Sequence, residues 1–185
     1  MSLLALYIVA CGLLILAGVT KLLRPANTAG GLRRLVPSLD AAATTRLVRS
    51  LASLEIVVGC SAVVWPNPPL AATVAFIYVA FAAFLLYVRA RHGPLSTCGC
   101  LSAVDAPATK MHVVIDLLLG TAGAGVAASG AHRLIWDQLS REPLHGVPLL
   151  AASVCCGWLV VLTMSLLPRL ADARLMVRAI SSPRR

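Results

Sequence analysis

Charge is scarce in this 185-residue chain: 12% of residues are Asp, Glu, Lys or Arg, against 59% hydrophobic. That balance excludes an ordinary soluble globular domain. Aromatic side chains are few, at 5%, and no basic stripe interleaves with them. The net charge of +9 therefore does not signal a nucleic-acid partner. No glycine loop has the context to cradle a phosphate, and Gly30-Gly31 lacks any P-loop setting. No Ser-His-Asp set and no hydrolase-like carboxylate pair stands out. The four histidines, His92, His112, His132 and His145, show no ligand spacing among themselves. The first apolar run has no small-residue cleavage pattern, so it is expected to persist as a helix of the mature protein.

What the chain does have is apolar runs of membrane-spanning length, about 20 residues for ~30 Å of hydrocarbon. Five spans are expected, in an all-α polytopic bundle with a four-helix core plus one. They are Leu3 to Leu23, roughly Leu47 to Trp65, Leu70 to Val88, Met111 to Ala131 and Val147 to Leu167. Residues 1–168 form a single membrane domain, and 169–185 a basic tail expected to fray. Between the first two spans, Ala26 to Ala43 reads as a surface loop with one short amphipathic turn. Ser38 is the candidate cap of the next helix, with Asp40 in its first turn. Pro66-Asn67-Pro68-Pro69 breaks the chain sharply before span three. Gly120, Gly123 and Gly125 give span four a face suited to close helix packing. Ile135, Trp136 and Leu139 among charges suggest a short interfacial helix near 132–142.

Basic residues flanking spans mark the cytoplasmic side. The segments after span one, after span three and at the C-terminus share one face and hold 13 of the 16 Lys and Arg. The opposite face has Arg133 and Arg141. The expected arrangement is a multi-pass protein of the cell membrane with its N-terminus outside. Its C-terminus and the loop after span three would be cytoplasmic.

That loop carries Cys98-Gly99-Cys100 in a polar break. Two thiols one residue apart can form a tight disulfide, exchange with a partner thiol or ligate a soft metal. Gly99 carries no Cβ penalty in a strained small ring. His92 and His112 flank the loop, so a site of two thiols and one histidine is one option. Cys11, Cys60, Cys155 and Cys156 lie in apolar runs and read as small fillers rather than a second redox pair.

Three ionisable residues inside spans fall on the same half as this loop: Lys21, Glu55 and Asp116. Glu55 is six residues beyond Arg49, and Asp116 six beyond Lys110, or ~9 Å of helix in each case. Such groups face a bundle interior or a cavity. Lys21 can pair with Glu55 or favour a nearby thiolate, and a carboxylate can move the proton. Alternatively Lys21 snorkels to the interface while Glu55 and Asp116 bond neighbouring helices.

Ala17-Gly18-Val19-Thr20-Lys21-Leu22 resembles the small-Gly-x-x-Lys-Leu signature of the MauE family, related to the DoxX-like membrane proteins. Pro25, Val36-Pro37, Leu54-Glu55 with Gly59, and Cys98-Gly99-Cys100 follow in matching order over residues 3 to 130. The resemblance implies a four-span core broadly like that of vitamin K epoxide reductase-type proteins. It also implies thiol–disulfide chemistry or maturation of a partner protein. MauE is linked to making the disulfide-rich small subunit of methylamine dehydrogenase. The positions carried over are Lys21, Glu55, Cys98 and Cys100, as catalytic candidates. The family often follows its C-x-C with an aromatic and a glycine, where this chain has Leu101-Ser102. A quinone and a soft metal are the cofactor classes such a site admits. The lipid bilayer and a redox or complex-forming protein are the expected partners. Two other readings fit: a non-catalytic accessory subunit of a membrane complex, and a soft-metal or small-molecule carrier.

Overall fold

The computed structural model describes residues 2–35, 38, 40–92, 110–129 and 151–163, nearly all of them helical. Helix α1 runs Ser2–Leu23, α2 Pro25–Leu35, α3 Ala41–Val64, α4 Pro68–His92 and α5 Lys110–Ala128. A shorter apolar helix, α6, spans Ala151–Thr163.

Local chemistry sets the boundaries. Proline at the first position of a helix forfeits no intrahelical bond, and Pro25 starts α2 immediately after α1 ends. Asp40 caps α3 from an extended conformation, its Oδ2 accepting from the Ala42 N–H at 3.3 Å. At the other end Trp65 precedes Pro66, which disfavours helical backbone there. Asn67 then caps α4, its Oδ1 accepting from the Leu70 N–H at 2.8 Å. Pro68 and Pro69 occupy the first turn, where no N–H is needed.

Two expectations change. The stretch expected to be a loop with one short turn contains the 11-residue helix α2. Its polar and apolar residues segregate, and it packs on α3 and against the end of α1. Its two glycines lower its intrinsic helix preference, so this packing supplies what propensity lacks. The cap of α3 is Asp40, not Ser38, because the helix begins at Ala41.

Four helices, α1, α3, α4 and α5, are long and apolar enough to cross a membrane. The fifth expected span is described only as α6. The four long helices alternate in direction and form a ring in which α1 meets α3 and α5, and α4 meets α5 and α3. Tyr7, Cys11, Leu14 and Val74 are fully buried between them. Leu51, Leu54, Val57, Phe76 and Leu118 are exposed on the outside. An apolar exterior over these lengths fits a lipid surround. Helix α6 lies along α1, where Gly157 faces Val9.

Glycines set the helix separations. A Cβ on Gly18 would lie 2.7 Å from the Ala52 carbonyl oxygen, and one on Gly59 3.1 Å from that of Cys11. These two positions clamp α1 to α3. On the other side of the ring Gly123 lies against the backbone of Ala71 and Ala75, and Gly120 against Val79. Two glycines of the small-residue face expected on span four are thus used within the chain against α4, and the third, Gly125, lies by Leu3 of α1.

Candidate functional site

The close approach at Gly18 sets up the site. Gly18 and Lys21 are three residues apart and share a helix face. A Cβ at Gly18 would sit 3.3 Å from Glu55 Cβ. One turn further along α1, the Lys21 ammonium therefore meets the Glu55 carboxylate. Nζ donates to Oε1 at 2.5 Å, with both side chains more than nine-tenths buried. Lys21 does not snorkel, and the interfacial alternative is overturned. Its stem stays inside the bundle because a carboxylate from α3 and a ring from α4 receive its head. That ring is Phe81, whose centroid lies 4.6 Å from Nζ.

Among the described residues, Glu55 uses one oxygen only. Oε2 is buried and has no hydrogen-bond partner among the described residues. A buried ion pair offsets its desolvation only when its remaining hydrogen-bonding capacity is also met. Here one acceptor is left over beside a cation.

Further polar residues are buried in the same half. Thr44 is on the first turn of α3, its hydroxyl donating to the Asp40 carbonyl at 2.8 Å. His112 and Asp116 lie one turn apart on the inner face of α5. The antiparallel register of α4 and α5, fixed by Gly120 against Val79, puts Asp116 level with the turn of Phe81 and Ala82. One layer of the bundle thus draws Lys21 from α1, Glu55 from α3, Phe81 from α4 and Asp116 from α5.

Cys98 and Cys100 lie outside the described residues, as do the 132–142 segment, the C-terminal tail and the His92 side chain. The chain segment that carries the two thiols joins the end of α4 to the start of α5. Both of those ends belong to the half that holds Lys21 and Glu55. Of the other cysteines, Cys11 is fully buried while Cys60, Cys155 and Cys156 are exposed. Among the described residues no three His, Cys, Asp or Glu side chains are grouped as metal ligands.

The sequence signal missed Phe81 and Tyr78. Both are apolar-run aromatics, and nothing in a single helix marks one as a cation's neighbour. The available clue is a count. The chain has three phenylalanines, all on α4, and Phe76 and Phe84 are exposed where Phe81 is not.

Residues 1–131 match the family model described as Methylamine utilisation protein MauE. The chain belongs to the MauE family. No curated protein and no solved structure matches it. The matched region takes in all four long helices and the Lys21–Glu55 pair, and it ends before α6.

Proposed function

We propose that this MauE-family membrane protein performs thiol–disulfide exchange with a partner protein through Cys98 and Cys100. In this reading Lys21 and Glu55 serve the reacting thiol. The observation that carries it is the buried Lys21–Glu55 pair with Glu55 Oε2 left without a hydrogen-bond partner among the described residues. A membrane bundle that needed only adhesion would gain more from apolar residues of the same volume.

The chemistry balances within the two proteins. One thiol of the C-x-C loses its proton, and the thiolate attacks one sulfur of a partner disulfide. The partner's S–S bond breaks, and its other sulfur leaves as a thiolate that takes up a proton. The second thiol of the C-x-C then attacks the mixed disulfide. The products are a Cys98–Cys100 disulfide and a partner dithiol, and the reverse sequence oxidises the partner. A cation beside the attacking sulfur favours its thiolate, the role given to Lys21. An open carboxylate oxygen accepts the proton, the role given to Glu55 Oε2.

Thiol trapping in whole membranes tests the reading. The expected result is a Cys98–Cys100 pair whose redox state changes with conditions, and a mixed disulfide that accumulates when the cysteine that attacks second becomes serine. If both thiols stay reduced throughout, and Cys98→Ser and Cys100→Ser leave the phenotype intact, the reading fails. A membrane-impermeant thiol reagent applied from each side assigns the sidedness of Cys98, for which the charge distribution favours the cytoplasm.

A further inference from the structure

Lys21 poses a physical problem. It sits two residues before the end of α1, next to exposed Arg24. A lysine stem at that position is long enough to carry its ammonium out to the interface, which is the usual outcome in membrane helices. Yet its residual exposure is 5%. Attraction to Glu55 alone does not fix the ammonium, because a single Nζ–Oε1 contact leaves it free to swing about the carboxylate.

We infer that Phe81 is a positioning residue that latches the Lys21 ammonium inside the bundle. Its ring centroid lies 4.6 Å from Nζ, well within the range of a cation–π contact. The ring is itself braced. Tyr78, one turn earlier on α4, meets it edge-to-face with centroids 6.3 Å apart and planes at 86°. The Tyr78 hydroxyl donates to the Ala10 carbonyl at 2.7 Å, a bond that ties α4 to α1 in the buried core. A helical carbonyl has a second lone pair free for such a bond. The chain of contacts runs from the Ala10 backbone through Tyr78 and Phe81 to Lys21 and Glu55. It fixes the cation relative to α1, α3 and α4 together. An ammonium has three N–H donors. One goes to Glu55 Oε1, and the Phe81 ring lies against the same ammonium.

Two readouts on the full chain in membranes test this. The first is independent of the cysteines. The chain has two lysines, Lys21 and Lys110, and Lys110 is exposed. After brief treatment with an amine-acylating reagent, peptide mapping gives the ratio of Lys21 to Lys110 modification, with Lys110 as the internal control. The native ratio is expected to be low. Phe81→Leu is expected to raise it by about twofold to thirtyfold, the range that cation–π contacts span between exposed and desolvated sites. Phe81→Tyr, which keeps the ring, is expected to restore the low ratio, and Tyr78→Phe to give a smaller rise. Phe81→Met, which keeps most of the side-chain volume without the ring, is expected to raise the ratio as well, whereas a role in packing alone would not distinguish methionine from tyrosine. If Phe81→Leu fails to insert, Phe81→Met carries the same comparison. An unchanged ratio in Phe81→Leu or Phe81→Met overturns the inference.

The second readout rests on the thiol-exchange reading proposed above. It is the pH profile of Cys98 alkylation in native protein, Lys21→Met and Phe81→Leu. Phe81→Leu is expected to move the profile in the same direction as Lys21→Met. A profile moved by Lys21→Met but not by Phe81→Leu overturns the positioning role. A profile unmoved by Lys21→Met overturns the function assigned to Lys21 and leaves the acylation result to judge Phe81.

Discussion

The α1–α3 seam and the α4–α5 seam are closed by the same device but hold different contents. Each brings two antiparallel helices together at glycines, Gly18 and Gly59 in one, Gly120 and Gly123 in the other. Along α4–α5 Gly123 meets Ala71 and Ala75, and Gly120 meets Val79, Ala75 and the Cβ of Tyr78, so the contact at the glycines is apolar. Along α1–α3 the tightest glycine is followed one turn later by a buried ion pair. Small residues alone hold membrane helices together. At Gly120 and Gly123 the α4–α5 seam thus closes without charge, and its buried His112 and Asp116 lie nearer the start of α5. The pair at Lys21–Glu55 is an addition to a seam whose glycines already close it, which is why we assign it to function.

The largest expected effect breaks that addition. Glu55→Leu leaves the Lys21 ammonium buried without its carboxylate and should destabilise the protein by about 3–5 kcal/mol. Lys21→Met combined with Glu55→Leu should recover most of the loss, since an apolar pair of similar volume replaces the ions. Thermal unfolding in mild detergent measures both. Equal destabilisation by single and double variants would mean the two residues do not act as a pair.

A smaller effect separates the glycines. Gly18→Ala drives a Cβ to 2.7 Å from a backbone oxygen that cannot rotate away, and overpacking of this kind costs about 1–3 kcal/mol. At Gly120 the nearest atoms would lie 3.4 and 3.5 Å away, ordinary contact, and alanine is the better helix former. Gly120→Ala should therefore leave the unfolding temperature unchanged or raise it. If both substitutions behave alike, the two seams are not as different in tightness as their geometry states.

Tyr78→Phe removes the hydroxyl bond to Ala10 and keeps the ring, with an expected loss of about 1 kcal/mol. The smallest expected effect is that of salt. Exposed charges are screened at moderate ionic strength and buried pairs are not. The stability difference between native protein and Glu55→Leu should hold as salt is raised. A difference that shrinks would place the pair in contact with solvent.

Much of this was legible from residue order. The four long helices lie where apolar runs of spanning length lie, because burial in lipid demands length and continuity. The boundaries at Pro25, Pro66 and Pro68 follow from a residue that lacks an N–H. The Gly18-x-x-Lys21 spacing has a geometric meaning that sequence alone could not supply. The glycine lets α3 come close, and the lysine one turn on then meets what α3 carries there. Glu55 and Gly59 repeat the relation from the other helix, four residues apart.

Helix α2 was not legible as a helix, because Gly30 and Gly31 argue against one and only packing on α3 and α1 outweighs them. By itself the sequence determined where the four long apolar helices lie, the proline breaks between them and which half collects the ionisable groups. Those properties depend on hydropathy and backbone chemistry, which act within a segment. Only the tertiary structure decided that Lys21 stays inside, that one oxygen of Glu55 has no partner among the described residues, and that Phe81 rather than Phe76 or Phe84 faces the cation. Those facts depend on how far apart and in what register different helices lie, and the glycines that set that register act only once two helices meet.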